Sequence, residues 1–300
     1  MAPNGAGSAP LTSDGPPPSA NPAARDPHTA ALAFVAARSA GPPLDGGAQV
    51  TVNFHPDRLA GDVPLLRALA ADGRWRSQFE TGTSNGGLTA HPGGDRWRWE
   101  RRLFGGAYDD APAAARPIYG ALNHRQDPVG AAPRFGSAHL VLRAEALARC
   151  TFCWPDSVFE PAHFGVAAAC DLVDRLRAAP PPDPLDAYVE AHVHGPLRLP
   201  DDVAAIVLDA CFRGTAVEAD AHATGCAVTF HAGFRLPLDV LAQHADYRGA
   251  EVVALGQALA HDGVLSPDLL GRADADPMHL KQLWHCLARF GRPAHDDPSP

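Results

Sequence analysis

The chain has no run of eighteen or more apolar residues, so no segment reads as a membrane-spanning helix. Its opening stretch, MAPNGAGSAPLTSDGPPPSANPAARDP, lacks both a basic n-region and an apolar core. That excludes a Sec signal and makes the cytoplasm the expected location, with no membrane partner. Positive charge is also short: 25 Lys and Arg face 34 Asp and Glu, a formal net charge of −9. A general nucleic-acid binder normally shows a basic excess, although a local basic cleft stays compatible. Cysteine is scarce, six in 300 residues, which is no disulfide framework. Cys150 and Cys153 make the one C-x-x-C, and no second pair stands at zinc spacing, so they read as two small buried residues. Internal repeats are absent.

What is present divides the chain in three. Residues 1–45 are rich in Pro, Gly and Ala and are expected to be disordered and dispensable, with room for a short helix over His28–Ser39. Residues 46–290 form a single α+β domain, and 291–300 a flexible tail. Strands are expected over 49–55, 74–79, 139–143, 151–153, 188–194, 202–209 and 226–230, from alternation or apolar runs bounded by turn residues. Helices are expected over 63–71, 164–178, 238–244, 251–261 and 278–290. Between 80 and 137 the chain is rich in Gly, Pro and aromatics and shows little periodicity, which reads as structured site loops. Within it, Arg96, Arg98, Arg101 and Arg102 with Trp97 and Trp99 make a cationic-aromatic patch that reads as a solvated face.

The most informative stretch is Tyr188-Val189-Glu190-Ala191-His192-Val193-His194. Side chains alternate across a strand, so Tyr188, Glu190, His192 and His194 share one face while the small apolar residues pack the other. A carboxylate flanked by two imidazoles and a phenol is a face suited to chemistry.

Four motifs occur in order: Asn53–Arg58 (NFHPDR), Gln78–Gly86 (QFETGTSNG), Arg116–Asn123 (RPIYGALN) and Tyr188–Gly195 (YVEAHVHG). Together they resemble a bacterial domain family of unknown function, over about residues 48–290. The arrangement is also similar to the ADP-ribosyltransferase fold, in which a first-strand His or Arg, a second-strand Tyr or Ser/Thr and a late-strand Glu converge on NAD. That resemblance implies an ADP-ribosyltransferase-like mixed or antiparallel core with flanking helices and a helical C-terminal part. It implies NAD as substrate and an acceptor, protein or nucleic acid, left unnamed. His55, or Arg58, matches the first position, Thr83 and Ser84 the second with Tyr119 as alternative, and Glu190 the last. Phe79, Tyr119 or Trp97 would stack on nicotinamide. Two departures stand out: Tyr188 occupies the place of a second acid, so arginine is not the expected target, and Pro56-Asp57 follows His55 where Gly-Ser/Thr is usual.

Cleaving the nicotinamide–ribose bond builds an oxocarbenium-like cation, and a carboxylate beside the ribose stabilises it mainly in the transition state. Glu190 is the carboxylate of the informative strand. Two other readings stay open. His55-x-Asp57 and His192-x-His194, completed by Glu190 or Asp209, have spacings suited to a metal-dependent hydrolase. A non-enzymatic binding domain with a structural Glu190 is the third.

Overall fold

The computed structural model describes residues 26–82 and 90–292. Its longer strands are β1 (Val50–Phe54), β2 (Ile118–Leu122), β3 (Ala138–Leu142), β4 (Cys150–Trp154), β5 (His163–Val166), β6 (Glu190–Val193), β7 (Val203–Asp209) and β8 (Ala227–His231). They form one eight-stranded sheet in the order β8-β7-β3-β1-β2-β6-β4-β5. Only β7 and β8 run parallel; the other neighbours are antiparallel. The longer helices are α1 (Pro27–Ala36), α2 (Leu65–Asp72), α3 (Asp95–Phe104), α4 (Leu172–Ala178), α5 (Ala216–His222), α6 (Leu238–Gln243), α7 (Ala250–Leu259) and α8 (Pro277–Phe290). The fold is thus α+β around a mixed sheet, as the order of strand and helix patterns leads one to expect.

The two faces of the sheet differ in kind. Val52, Leu140, Phe152, Ala191 and Ile206 point to the back, where Leu66 and Leu69 of α2, Leu172 and Leu176 of α4 and Ala221 of α5 complete an apolar core. The front carries buried polar side chains, Thr51, Asn53, His139, Thr151, Glu190, His192 and His194 among them. Burying such groups is tolerated only where each finds a partner. Segments that cover the front bring partners to most of them, although His139 Nδ1 has none among the described residues. The stretch 129–132 hangs on β1: Asn53 Nδ2 donates to the Val129 carbonyl at 2.9 Å, and the Ala131 amide donates to Thr51 Oγ1 at 2.9 Å. Helices α1 and α3 bring Ala31, Val35, Leu103 and Phe104, with Tyr108, onto Cys153 and Phe164. The C-terminal helices pack round Leu241, Leu265, Leu283 and Leu287. They are tied to the same front cover by Trp284 Nε1, which donates to the carbonyls of Pro133 and Arg134 at 3.1 and 3.0 Å. Asp276 caps α8 by accepting from the amides of Met278 and His279.

The structure corrects the sequence reading at several places. The expected helix over 164–178 is a strand followed by a short helix: Phe164 and Gly165 pair with Cys153 and Phe152, and Gly165 lies so close to Cys170 that a Cβ there would meet its Sγ at 2.8 Å. The stretch 80–137 holds α3 and β2 rather than loops alone. Residues 74–79 are a two-residue strand, Arg74–Trp75, and a four-residue helix, Gln78–Thr81, that carries Phe79. Helix α1 is no loose tail, because Ala31 and Val35 are fully buried in the core, so the packed body starts earlier than residue 46. The shared face of Tyr188, Glu190, His192 and His194 is covered, all four residues being buried.

Candidate active site

Register fixes the site. Glu190 pairs with Ala121 of β2 on one side and Cys153 of β4 on the other, so the three side chains share a level and a face. One level along, His192 pairs with Tyr119 and with Thr151. Glu190 Oε1 lies 2.8 Å from His192 Nε2 and accepts from Cys153 Sγ at 3.6 Å, while Oε2 accepts from Ser157 Oγ at 3.1 Å. Burial by itself would raise the carboxyl's pKa. The hydrogen bond from His192, followed by the nearby Arg96 guanidinium and by Ser157, more than offsets this and holds Glu190 below the ordinary glutamate value. Behind it runs a connected row: Thr151 Oγ1 sits 3.0 Å from His192 Nδ1 and 2.9 Å from His194 Nε2, and Tyr108 Oη is 2.6 Å from His194 Nδ1. Burial, then the neighbouring His192, keeps His194 well below the usual histidine range, so its ring is neutral.

A second carboxylate adjoins the first. Asp156 accepts from the Tyr188 hydroxyl and from the Val158 amide. Its pKa is raised to about 6, by burial and then by the Glu190 charge. Two neighbouring carboxyls with pKa values driven in opposite directions are the pattern expected of a division between a fixed charge and a proton carrier.

Helix α3 supplies the cations' side. Arg96, only 7% exposed, lies with its guanidinium 4.4 Å from the Tyr119 ring centroid, and its Nε has no hydrogen-bond partner among the described residues. Glu100 accepts from Arg116 Nη1 at 2.7 Å and from the Tyr119 hydroxyl at 3.1 Å. The Arg116 guanidinium also covers the Phe79 ring at 4.0 Å. Glu190, Tyr119 and Phe79 therefore belong to one continuous cluster, joined by Arg96, Glu100 and Arg116.

The remaining sequence candidates lie elsewhere. His55 follows β1 and meets the Trp284 ring edge-on at 4.9 Å; burial, then Arg58 and His285, lowers its pKa to about 3. Arg58 is exposed at the same turn. Glu190 is level with Thr51, four residues before His55 and two strands away, about 13 Å along and ~10 Å across in ideal sheet spacing. The two groups share no partner among the described residues, so only an extended ligand would touch both. Thr83 and Ser84 lie outside the described residues. The hydrolase ligand set is gathered only in part: His192 lies beside Glu190 at 2.8 Å, whereas His194 turns a ring nitrogen to Thr151 and Asp209 accepts from the amides of Cys211 and Phe234. Cys150 and Cys153 point to opposite faces of β4, one into the apolar core and one toward Glu190. A cavity of about 250 Å³ opens on the front of the sheet, lined by Gln49, Asn123, His139, Val141 and His231, and does not reach Glu190.

The motifs that carry the resemblance all fall inside two overlapping matches to one family. Residues 49–176 and 169–291 match the family described as "Protein of unknown function (DUF3626)". The chain belongs to the DUF3626 family. No curated protein matches it. Every member of the Glu190 cluster, from Phe79 to His194, lies within the DUF3626 match, whereas α1 precedes it. Sequence reasoning placed Arg96 on a solvated face, whereas it is buried, and it gave Glu100 and Asp156 no role in the site. The signal for Asp156 was its place directly after a strand and before Ser157; for Arg96 and Glu100 it was their four-residue spacing, which puts them on one helix face.

Proposed function

We propose that this DUF3626 protein is an ADP-ribosyltransferase that cleaves the nicotinamide–ribose bond of NAD and passes ADP-ribose to an acceptor nucleophile. One observation carries the reading. Tyr119 and Glu190, matched to the second-strand and late-strand positions, lie on β2 and β6, and His55, matched to the first-strand position, directly follows β1; the three strands are consecutive neighbours in the sheet. Thr83 and Ser84, the other second-position candidates, add nothing to it.

In this reading the C1′–nitrogen bond breaks, nicotinamide leaves with the electron pair, and positive charge grows on the ribose. Glu190, kept ionised by its donors, stabilises that charge. Its geometry is preset, because His192 and Ser157 fix both oxygens. Asp156, with a pKa near 6, takes the proton of the acceptor as it attacks C1′. Tyr119 and Phe79 offer ring faces to the nicotinamide, and His55 and Arg58 hold the far end of an extended NAD.

Nicotinamide release by purified protein, with Glu190→Gln beside it, tests the reading. The variant keeps size and hydrogen bonding but loses the charge, so kcat should fall on the order of 10²–10³-fold while NAD affinity changes little. Unchanged turnover in the variant, or no NAD binding by the parent, removes the proposal.

A further inference from the structure

Cys153, Glu190 and His192 bring three different metal-ligating atoms within 4.8 Å of one another, all buried. We propose that these three side chains form a binding site for a single divalent transition-metal cation, with zinc the ion they fit best. The proposal does not depend on the ADP-ribosyl reading.

Distances carry the argument. Zinc bonds of ~2.3 Å to sulfur and ~2.0 Å to nitrogen and oxygen, at tetrahedral angles, separate the donors by roughly 3.5 Å for each sulfur edge and roughly 3.3 Å for the nitrogen–oxygen edge. The observed edges are 3.6 Å from Cys153 Sγ to Glu190 Oε1, 3.9 Å from Sγ to His192 Nε2, and 2.8 Å from Nε2 to Oε1. Fitting the ion needs the sulfur–nitrogen edge to shorten, and the nitrogen–oxygen edge to open, by about half an ångström each. Strand register holds the three in place, since Cys153 pairs directly with Glu190, and His192 follows on the same face. One thiolate, one imidazole and one carboxylate suit a borderline-soft ion better than calcium or magnesium, which take oxygen ligands. Three protein ligands also leave a fourth position open.

A second observation is independent of the donors. A metal-bound histidine usually donates its other ring N–H to a fixed acceptor. His192 Nδ1 already faces Thr151 Oγ1 at 3.0 Å; Thr151 Oγ1 in turn meets His194 Nε2 at 2.9 Å, and His194 Nδ1 meets Tyr108 Oη. Binding requires Cys153 to lose its thiol proton and His192 to free Nε2 by carrying its proton on Nδ1, which then donates to Thr151. The bound ion would take the Glu190 carboxylate away from any ribose, so occupancy and ADP-ribosyl transfer exclude each other.

The full chain, stripped with a chelator and dialysed, is titrated with cobalt(II). One equivalent should bind with a near-ultraviolet thiolate-to-cobalt band that zinc abolishes. X-ray absorption of the zinc form should show one sulfur at ~2.3 Å with the remaining neighbours nitrogen or oxygen. Cys153→Ser should lose the band while Cys211→Ser, at a half-exposed site of another strand's end, keeps it. If Cys153→Ser fails to fold, Glu190→Gln of the same size should weaken binding at least roughly tenfold. No binding, a first shell with no sulfur or with two, or a band that survives in Cys153→Ser overturns the proposal and means that the three groups only hydrogen-bond one another. None of these readouts uses NAD, so failure here leaves the transferase proposal standing, and the reverse.

Discussion

Arg116 and Glu100 meet at 2.7 Å with side chains 3% and 1% exposed. Desolvating such a pair costs nearly what their attraction returns, so the pair adds little net stability while intact. Breaking it is another matter. Glu100→Ala leaves Arg116 buried without its counter-charge, and Arg116→Ala does the same to Glu100. Each should lower the free energy of unfolding in urea by about 3–5 kcal/mol. Glu100→Leu combined with Arg116→Met should recover much of that loss. A cost below about 1 kcal/mol for either single change would show the pair to be solvated after all.

Asp156 gives a pH signature with a definite sign. Its folded pKa of about 6 lies above the ordinary 3.8, so the folded chain holds this proton more tightly than the unfolded chain. The associated stability is fully present below pH ~4 and is lost as pH rises through about 6. Asp156→Asn cannot lose it. Relative to the parent, the variant should therefore gain stability between pH 4 and 7, by no more than about 3 kcal/mol. Urea unfolding at both ends of that range checks it, and a difference independent of pH contradicts it.

The lowered pKa of His55, about 3, makes its ring neutral throughout the pH range in which the protein would work. If His55 positions NAD, His55→Ala should weaken NAD binding with a smaller effect on kcat. That binding should not vary between pH 5 and 8 on account of this residue. Calorimetry at the two limits distinguishes this from a charged imidazole contact, whose loss near the ordinary histidine pKa would show as a pH-dependent affinity.

Gly136 lies against the end of β1 so closely that a Cβ there would stand 2.0 Å from the Phe54 carbonyl carbon. Backbone atoms cannot step aside like a flexible side chain. Gly136→Ala should cost at least about 3 kcal/mol and disturb the turn at His55. Gly214, with φ near +71 and open space around it, is the control: Gly214→Ala should cost only the ~1–2 kcal/mol of a left-handed backbone. Equal melting temperatures for the two variants would refute the close-approach argument.

The front face of the stretch 188–194 was legible in the chain because alternation is local: four polar residues at every second position need no tertiary information. Its burial was not, because the cover comes from α3. That helix hides from any search for an apolar stripe, since its buried positions are Arg96, Glu100, Leu103 and Phe104. The spacing is helical, but half the stripe is charged, and the charges are compensated by residues elsewhere in the chain. The same limit produced the false first half of the helix expected over 164–178, of which only Leu172–Ala178 is helical. Ala, Cys, Leu and Val there satisfy a helical period, whereas the strand at His163–Val166 exists because β4 offers it an edge. His55 was legible as a strand-end residue; that it faces Trp284 depends on a helix more than two hundred residues later.

The central position of β1 bears on how the chain folds. β1, residues 50–54, pairs with strands at 118–122 and 138–142, and the sheet then spreads to residues 190–193 on one side and 203–209 on the other. No neighbour of β1 is joined to it by a tight hairpin, so each pairing closes a long loop before it returns any stabilisation. During synthesis β1 waits for more than sixty residues before its first partner leaves the ribosome, with its own polar and apolar faces both unprotected. Refolding of this protein should accordingly be limited by long-range strand pairing rather than by helix formation, with an aggregation-prone interval in which the sheet is still open at its middle.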